Sequence, residues 1–506
     1  MEQKRTLMDY IRSAPPLALG HEPAAGRGRT GFWVTVDVRL GSGSRMIRIF
    51  RVFIPASVLA VLVCDALLAA ACYVAAVYLH IEAGPELFLM VDGGLERIAV
   101  VVLTILAGFY LSDLYEEFRV RSRVELAQRI CVVIGGALMF QALLGYMEPS
   151  WMMPRWIMMT GSLLSLGVLS AWRIGFTTVG LKVFGAKKLL YAGLSPAARD
   201  VARRFHERPE YGFQNLGYVD DERRESDEVL RWLGPGAELK RVAAETKPDR
   251  VVVARTDGTG PFGAQKLLEL RLAGFRVAEA AELYELAYGR VCLEELRASQ
   301  VVFSGRFAAG RGAMALREAY SWILALLGLV AALPLLAVIA VAVKLDSKGP
   351  VFYRQVRTGL GGRPFVLFKF RSMRQDAESR SGAVWASKDD PRVTRVGRWL
   401  RRYRLDEIPQ LWNVLKGDMA IVGPRPERPE FVAMLAERIP FYHQRHVVKP
   451  GITGWAQINH EYTDSIEDAA KKLEYDLYYI RNLSPYLDAY IIFHTLKVVI
   501  LGRGAH

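Results

Sequence analysis

The sequence predicts a membrane protein of mixed α and α/β class. It should contain a four-helix transmembrane bundle, a Rossmann-like α/β module and a third domain held to the membrane by one re-entrant helix. Three observations carry this expectation. Apolar runs near membrane-crossing length cluster in the first third of the chain, and alternating strand-like and helix-like patterns come after them. A fifth apolar run, interrupted by proline, then precedes a segment dense in arginine and paired acids.

The chain has 506 residues, enough for about three domains. Its 52% hydrophobic content is high for a soluble protein of this length. A formal net charge of +14 could point to nucleic acid, but membrane topology accounts for it better, so no nucleic-acid partner is expected. Of the four cysteines, Cys64, Cys72 and Cys131 lie in apolar runs, which is no disulfide framework and fits a reducing compartment. The opening MEQKRTLMDYIRSAPP has acids and no early apolar run, so no cleavable signal peptide is expected, and residues 1–48 are read as a cytoplasmic segment.

The four spans, within a bundle over 49–175, fall at roughly 52–79, 97–114, 126–146 and 153–172. Each is close to the ~20 residues that cross ~30 Å of hydrocarbon. Arg45, Arg48 and Arg51 precede the first span, while His80, Glu82, Glu86 and Asp92 come after it. Arg119, Arg121 and Arg123 separate the second and third, and only Glu148 and Arg155 separate the third and fourth. Arg173, Lys182, Lys187 and Lys188 come after the fourth. Basic loops stay in the cytoplasm, so both ends of the bundle face it. Asp65 lies well inside a span, where a carboxylate is a functional candidate by default. Without a partner nameable from the sequence, it is read as a packing contact and the bundle as an anchor.

Residues 186–305 read as the α/β module. KKLLYAG resembles a buried strand, and Ser195-Pro196 supplies an N-cap and first helical position for AARDVARRF. NLGYVD, DRVVVA, FRVAEA and QVVFSG are the further strand candidates. A dinucleotide site would need three glycines after the first strand, whereas Gly193 is followed by LSPAA, so a structural or regulatory role is favoured over NAD binding.

The fifth apolar run, 320–343, contains Pro334, which removes a helix hydrogen bond. The 14 residues before it make a helix of about 21 Å, too short to cross. A helix-break-helix that enters one leaflet and returns at Pro334 is therefore expected, keeping the remainder of the chain in the cytoplasm; the alternative is a kinked full span.

Beyond it come GPVFYRQVRTGLGGRPFVLFKFRSM, RRYRLDEIPQLWNVLKGDMAIVGPRPERPEF and VKPGITGWAQIN. Asp406 and Glu407 precede Pro409, where a helix ending at Gly417 is predicted to begin. The dipole and free N–H groups there favour anions, so a carboxylate stays ionised and can act as a nucleophile. Adjacent helical residues diverge by about 100°, so the two acids suit different tasks. Arg401, Arg402 and Arg404 ahead and Arg425 and Arg428 behind point to chemistry on a phosphate. In isolation, an acid at a helix start is more often an N-cap, and flanking arginines a solvated face.

Taken together in this order over 315–506, these motifs resemble the bacterial sugar transferase domain of polyprenyl-phosphate phosphoglycosyl transferases. With spans and an α/β module in front, the whole chain is similar to the large monotopic members, which initiate exopolysaccharide or O-antigen synthesis at the bacterial inner membrane. The resemblance implies a monotopic catalytic domain that passes a hexose-1-phosphate from a UDP-hexose to undecaprenyl phosphate, releasing UMP. It implies Asp406 as nucleophile, through a phosphosugar-aspartyl intermediate, and Glu407 as a ligand of Mg²⁺. Arg401 aligns with an arginine near the lipid phosphate, and Arg425 and Arg428 with the nucleotide side. Lys369 and Arg371 are weaker candidates for the same phosphates. Lys449 stands where many relatives carry arginine; it loses bidentate phosphate binding and is left out of the site. Inner-membrane lipids are expected partners, as is a second copy of the chain through the central module.

Two other classes fit the sequence less well. An NAD-dependent dehydratase or epimerase would rely on a Tyr-x-x-x-Lys pair, which occurs nowhere in the chain. A non-catalytic scaffold would have no reason to carry the complete motif set. Trp455, Phe441 and Tyr442 read as core or interfacial aromatics, and the helix over 485–501 as lying on the membrane. No residue distinguishes glucose from galactose.

Overall fold

The computed structural model describes residues 46–49, 52–115, 123–176, 186–223, 229–254, 262–303, 311–374, 392–460 and 465–501. The segment 1–45 and Arg51, Arg119, Arg121 and Lys182, used above to order the spans, lie outside them. Two short strands come first, β1 (Met46–Ile49) and β2 (Val52–Pro55), paired antiparallel with Met46 opposite Pro55. VFIP, read as the start of the first span, is therefore a strand; its β-branched Val52 and Ile54 favour extended backbone.

Four long helices come next: α1 (Ala56–His80), α2 (Gly94–Leu111), α3 (Arg123–Met147) and α4 (Arg155–Gly175). Each is long and apolar enough to cross a membrane. α1 packs on α2 and α4, and α3 on the same two, around Tyr73, Val77, Ile105, Phe109, Ile130, Ile157 and Leu169. Leu67, Leu103, Val132, Met139 and Leu163 point outward and are exposed. Helices apolar inside and out are at home in lipid.

Asp65 has a partner that the sequence hid. Arg173 Nη2 lies 2.5 Å from its Oδ2, both side chains are buried, and the Tyr115 hydroxyl donates to the same oxygen at 3.1 Å. Arg173 Nη1 also donates to the Leu114 carbonyl at 2.7 Å, and its guanidinium lies 5.0 Å from Phe109 and 4.9 Å from Tyr115. Arg173, counted above as a flanking charge, thus serves as a buried tie between α1 and α4.

The module is a five-stranded parallel sheet of β3 (Lys187–Ala192), β4 (Phe213–Val219), β5 (Trp232–Gly234), β6 (Arg250–Val253) and β7 (Val277–Glu279). Its order, β5-β4-β3-β6-β7, is that of a doubly wound fold. Four expected strands are present, but QVVF falls in a helix, Ala298–Phe303, and the edge strand is Trp232–Gly234 instead. α5 (Pro196–Glu207) starts as expected, with Ser195 Oγ accepting from the Ala198 N–H at 3.2 Å. The same hydroxyl donates to Glu295 at 2.5 Å, and the Leu194 N–H donates to Asp220 at 3.1 Å. Carboxylates thus hold the donors that a Rossmann fold offers to a pyrophosphate.

α6 (Arg311–Asp346) contains Pro334 and runs on through it without a non-helical break, which corrects the expected helix-break-helix. Its inward positions are Arg317, Ser321, Ala325, Gly328, Ala332, Leu336, Ile339 and Val343, alternating by four and three residues. Ala325 packs on Leu367, Val414 and Met419, while Ile339 and Val343 pack on Phe370 and Leu400. Core contacts on both sides of Pro334 therefore lie along one helical face. Pro334 itself is exposed. On that side the proline ring meets no part of the domain beneath. The outer face presents Trp322, Leu327, Val330, Leu333, Val338 and Val341.

Beneath α6 sit an antiparallel hairpin, β8 (Phe352–Thr358) with β9 (Pro364–Phe370), and a parallel pair, β10 (Ala420–Val422) with β11 (Gly451–Thr453). α7 (Arg395–Arg402), α8 (Gln410–Leu415), α9 (Pro429–Arg438), α10 (Ile466–Arg481) and α11 (Pro485–Leu501) complete the domain. α11 is tied on both sides. Its Asp488 accepts from the Tyr479 hydroxyl at 2.8 Å and bonds Tyr320, and its Lys497 pairs with Asp113 at 2.6 Å.

Removing one member of the Asp65–Arg173 pair strands a buried charge. Asp65→Leu is expected to cost about 3–5 kcal/mol, and the double change with Arg173→Met much less. Thermal unfolding in detergent measures both; equal losses would contradict the assignment.

Candidate active site

Asp406 and Glu407 are set by their backbone. Arg404 adopts left-handed φ 53°, and Leu405–Glu407 then form a 3-10 turn that leads through Ile408 into α8, with Pro409 as the helix's N-cap residue. Neither acid occupies the N-cap, so the capping explanation does not apply. Asn413, fully buried in α8, accepts from the Phe368 N–H at 3.0 Å and donates to the Val366 carbonyl at 2.7 Å. That clamp fixes the register of α8 against β9 and brings Lys369 beside the acids.

The two carboxylates are treated differently, as their helical divergence predicted. Glu407 Oε1 lies 3.0 Å from Lys369 Nζ and 2.6 Å from Arg425 Nη2, and its Oε2 lies 3.3 Å from Arg425 Nη1. Burial alone would raise its pKa; Arg425 and Lys369 outweigh burial and hold it well below the carboxylate range. Asp406 is as buried as Glu407, at 7% exposure each. Yet among the described residues none hydrogen-bonds or ion-pairs with its carboxylate. Burial raises its pKa against the pull of Lys369, and the charge of Glu407 adds to the rise. On Asp406 desolvation outweighs the cations, so the carboxylate is a stronger base than an exposed one.

A second ionic layer lies behind this pair. Glu427 bonds Lys472 and lies 3.6 Å from Arg357; these cations and Arg445 bring its pKa down to about 2 against the effect of burial. Arg445 pairs with Asp476 at 2.7 Å and donates to the Arg425 carbonyl at 3.0 Å. Counting both layers, Arg357, Lys369, Arg404, Arg425, Arg445 and Lys472 face Asp406, Glu407, Glu427 and Asp476. Positive charge is in excess, which suits a phosphorylated ligand.

The glycines of GPRP and PGITG allow their loops to touch. A Cβ on Gly423 would come within 2.6 Å of the Lys449 carbonyl, and one on Gly454 within 2.2 Å of the Gly423 carbonyl. This contact presses the Arg425 loop onto β11.

Of the other expected residues, Arg401 donates to Ser372 Oγ at 3.1 Å and acts on Asp406 through space. Arg428 precedes α9, lies over Phe431, and its charge acts on Arg357. Arg371 is elsewhere. Its guanidinium donates to the Ser347 carbonyl at 2.7 Å, Ser347 Oγ at 2.9 Å and the Lys348 carbonyl at 2.9 Å, closing the end of α6. Terminal helix carbonyls lack intrahelical donors, so a buried arginine is drawn to them, and it leaves the phosphate set. Lys449 pairs with Glu318 at 2.9 Å. Trp455 is a core residue, as read, donating to the Gly289 carbonyl at 2.7 Å. Sequence reasoning missed Arg357, Asn413, Glu427, Arg445, Lys472 and Asp476. Arg357, Asn413 and Glu427 stood inside the quoted motifs without being singled out, whereas Arg445, Lys472 and Asp476 lie outside them.

Residues 313–502 match the family model of the bacterial sugar transferases. A UDP-glucose:undecaprenyl-phosphate glucose-1-phosphate transferase from Xanthomonas campestris pv. campestris is 32% identical over 435 residues, 80% of this chain and 86% of that protein. A UDP-N-acetylgalactosamine-undecaprenyl-phosphate N-acetylgalactosaminephosphotransferase from Aeromonas hydrophila is 41% identical over 246 residues, 47% of this chain. An undecaprenyl-phosphate glucose phosphotransferase from Komagataeibacter xylinus is 37% identical over 333 residues, 63% of this chain. The chain spans 56% of the Aeromonas protein's length and 60% of the Komagataeibacter protein's. The chain therefore belongs to the bacterial sugar transferase family, within the polyprenyl-phosphate phosphoglycosyl transferases, and is a transferase.

Proposed function

We propose that this protein transfers a hexose-1-phosphate from a UDP-hexose to undecaprenyl phosphate by double displacement at Asp406. The observation that carries this reading is the contrast within the acid pair: Glu407 is paired with Lys369 and Arg425, whereas Asp406 is buried beside them and unpaired among the described residues. A desolvated carboxylate next to fixed positive charge is a nucleophile facing a site shaped for phosphate. In the first step an Asp406 oxygen attacks the β-phosphorus; the new P–O bond forms as the bond to the α-phosphate oxygen breaks, and UMP leaves with the electron pair. In the second, an oxygen of the lipid phosphate attacks the same phosphorus, making the diphosphate and returning Asp406 as a carboxylate. Lys369, Arg404 and Arg425 stabilise the charge on the phosphate oxygens, and Arg401 lies on the side of the lipid phosphate.

The donor set fits Mg²⁺ of the substrate-completed kind. Glu407 Oε2 makes only the 3.3 Å contact and keeps acceptor capacity, although among the described residues no group of three or more His, Cys, Asp or Glu could cage a metal. With substrate phosphates, Glu407 would hold the ion, which supplies further neutralisation of phosphate charge.

The membrane arrangement proposed is a multi-pass bundle in the bacterial inner membrane, with the catalytic domain on its cytoplasmic face. α6 lies along the domain with its apolar side in one leaflet. Inward contacts on both sides of Pro334 favour this over a crossing, which would part the helix's two ends. Arg395, Arg398, Trp399 and Arg402, exposed on α7, would meet lipid headgroups.

Asp406→Asn is expected to abolish UMP release with undecaprenyl phosphate across a panel of UDP-sugars. Because the folded state penalises the charged form, that variant should melt no lower than wild type. Substantial turnover would sink the nucleophile assignment. The raised pKa also fixes the pH response: activity needs the carboxylate and is lost as pH falls through a value above the ordinary Asp range, while stability from the protonated form is lost as pH rises through it. A kcat/KM profile with no acid limb above the ordinary Asp value would count against this.

A further inference from the structure

The helix α10 is gripped on two opposite faces. On one, Glu474 accepts from the Tyr284 hydroxyl at 3.2 Å and the Leu293 N–H at 3.1 Å and lies 3.1 Å from Arg290, while Arg481, two turns on, bonds Glu285. Residues 284 and 285 belong to the helix Ala280–Tyr288 of the α/β module. On the other face, one turn apart, Lys472 bonds Glu427 and Asp476 holds Arg445, which holds the Arg425 carbonyl. Glu474 and Asp476 lie about 200° apart around the helix. Every one of these ties is buried or nearly so: Asp476 is 1% exposed, Arg445 3% and Glu474 8%. Charges buried this deeply keep one geometry, because leaving a partner strands an uncompensated charge away from water.

We propose that α10 couples the α/β module to the active site, with Asp476, Arg445 and Lys472 as positioning residues for the loop that carries Arg425. The module sets where α10 lies, and α10 sets where Arg425 meets the phosphate of the donor. This inference rests on the transfer reaction proposed above, and it gives the central module a task that requires no ligand of its own.

The test uses full-length protein in lipid nanodiscs, with the UDP-sugar that wild type turns over and undecaprenyl phosphate. Asp476→Asn keeps the size of the side chain and loses the ion pair. It should raise KM for the UDP-sugar about tenfold, within the usual range for coupled sites, with a smaller change in kcat, and Asp476→Glu should recover most of the loss. On the module face, Arg481→Gln and Glu474→Gln should move the same KM in the same direction. If both module-face variants lower the melting temperature and leave KM at the wild-type value, the coupling is refuted. Should Asp476→Asn fail to fold, the KM values of Arg481→Gln and Lys472→Arg decide: a rise in the first with near wild-type values in the second supports coupling, and no change in either overturns it. A wild-type protein that turns over no UDP-sugar overturns the underlying reaction as well.

Discussion

The site depends on one interaction, the capture of Glu407 by Lys369 and Arg425. It joins three pieces of chain distant in sequence: a strand, a 3-10 turn and a loop. It also spends the neighbouring cations on Glu407, where together they outweigh desolvation, whereas on Asp406, one residue away and equally buried, they do not. Without that asymmetry the two acids would share the cations and neither would stand out as the attacking group. Asn413 matters for the same reason, because its two bonds to β9 decide that Lys369, and not a neighbour of opposite facing, meets Glu407.

The fold around the site solves a problem set by the membrane. The reaction proposed joins a water-soluble substrate to a lipid, so its site must lie at the boundary of water and hydrocarbon. α6 provides an apolar outer face and an inner stripe that packs on the domain, with Pro334 on the outer face. Arg371 closes its C-terminal carbonyls, and Arg317 near the other end bonds the Val422 carbonyl of β10. Both ends of an otherwise lipid-facing helix are thus held by buried guanidinium groups.

Much of this was legible in the sequence, and the remainder was hidden for identifiable reasons. Span positions came from hydropathy, and the module's β3, β4, β6 and β7 from apolar runs between turn residues. QVVF misled because β-branched residues at a short apolar run do not separate strand from buried helix. The placing of Asp406 and Glu407 among arginines was visible as a local motif. That Asp406 would rise rather than fall in pKa was not, since burial is a property of the assembled domain. Arg371 and Arg173 were misread for a common reason: charge in a sequence is counted by position, whereas these two arginines are drawn inside by carbonyls and by Asp65. Arg445, Lys472 and Asp476 carry no local signal, because the bonds that tie them to the Arg425 loop and to Glu427 reach across 20 and 45 residues of chain.

The central claim is that Asp406 forms a bond to phosphorus. The most direct measurement is a single-turnover experiment on the full-length protein with a turned-over UDP-sugar and no undecaprenyl phosphate, read by UMP release and by the mass of the peptide containing Asp406. The account predicts a rapid burst approaching one UMP per protein and a peptide heavier by one phosphohexose. UMP that appears only after undecaprenyl phosphate is added, with the peptide mass unchanged, would contradict it.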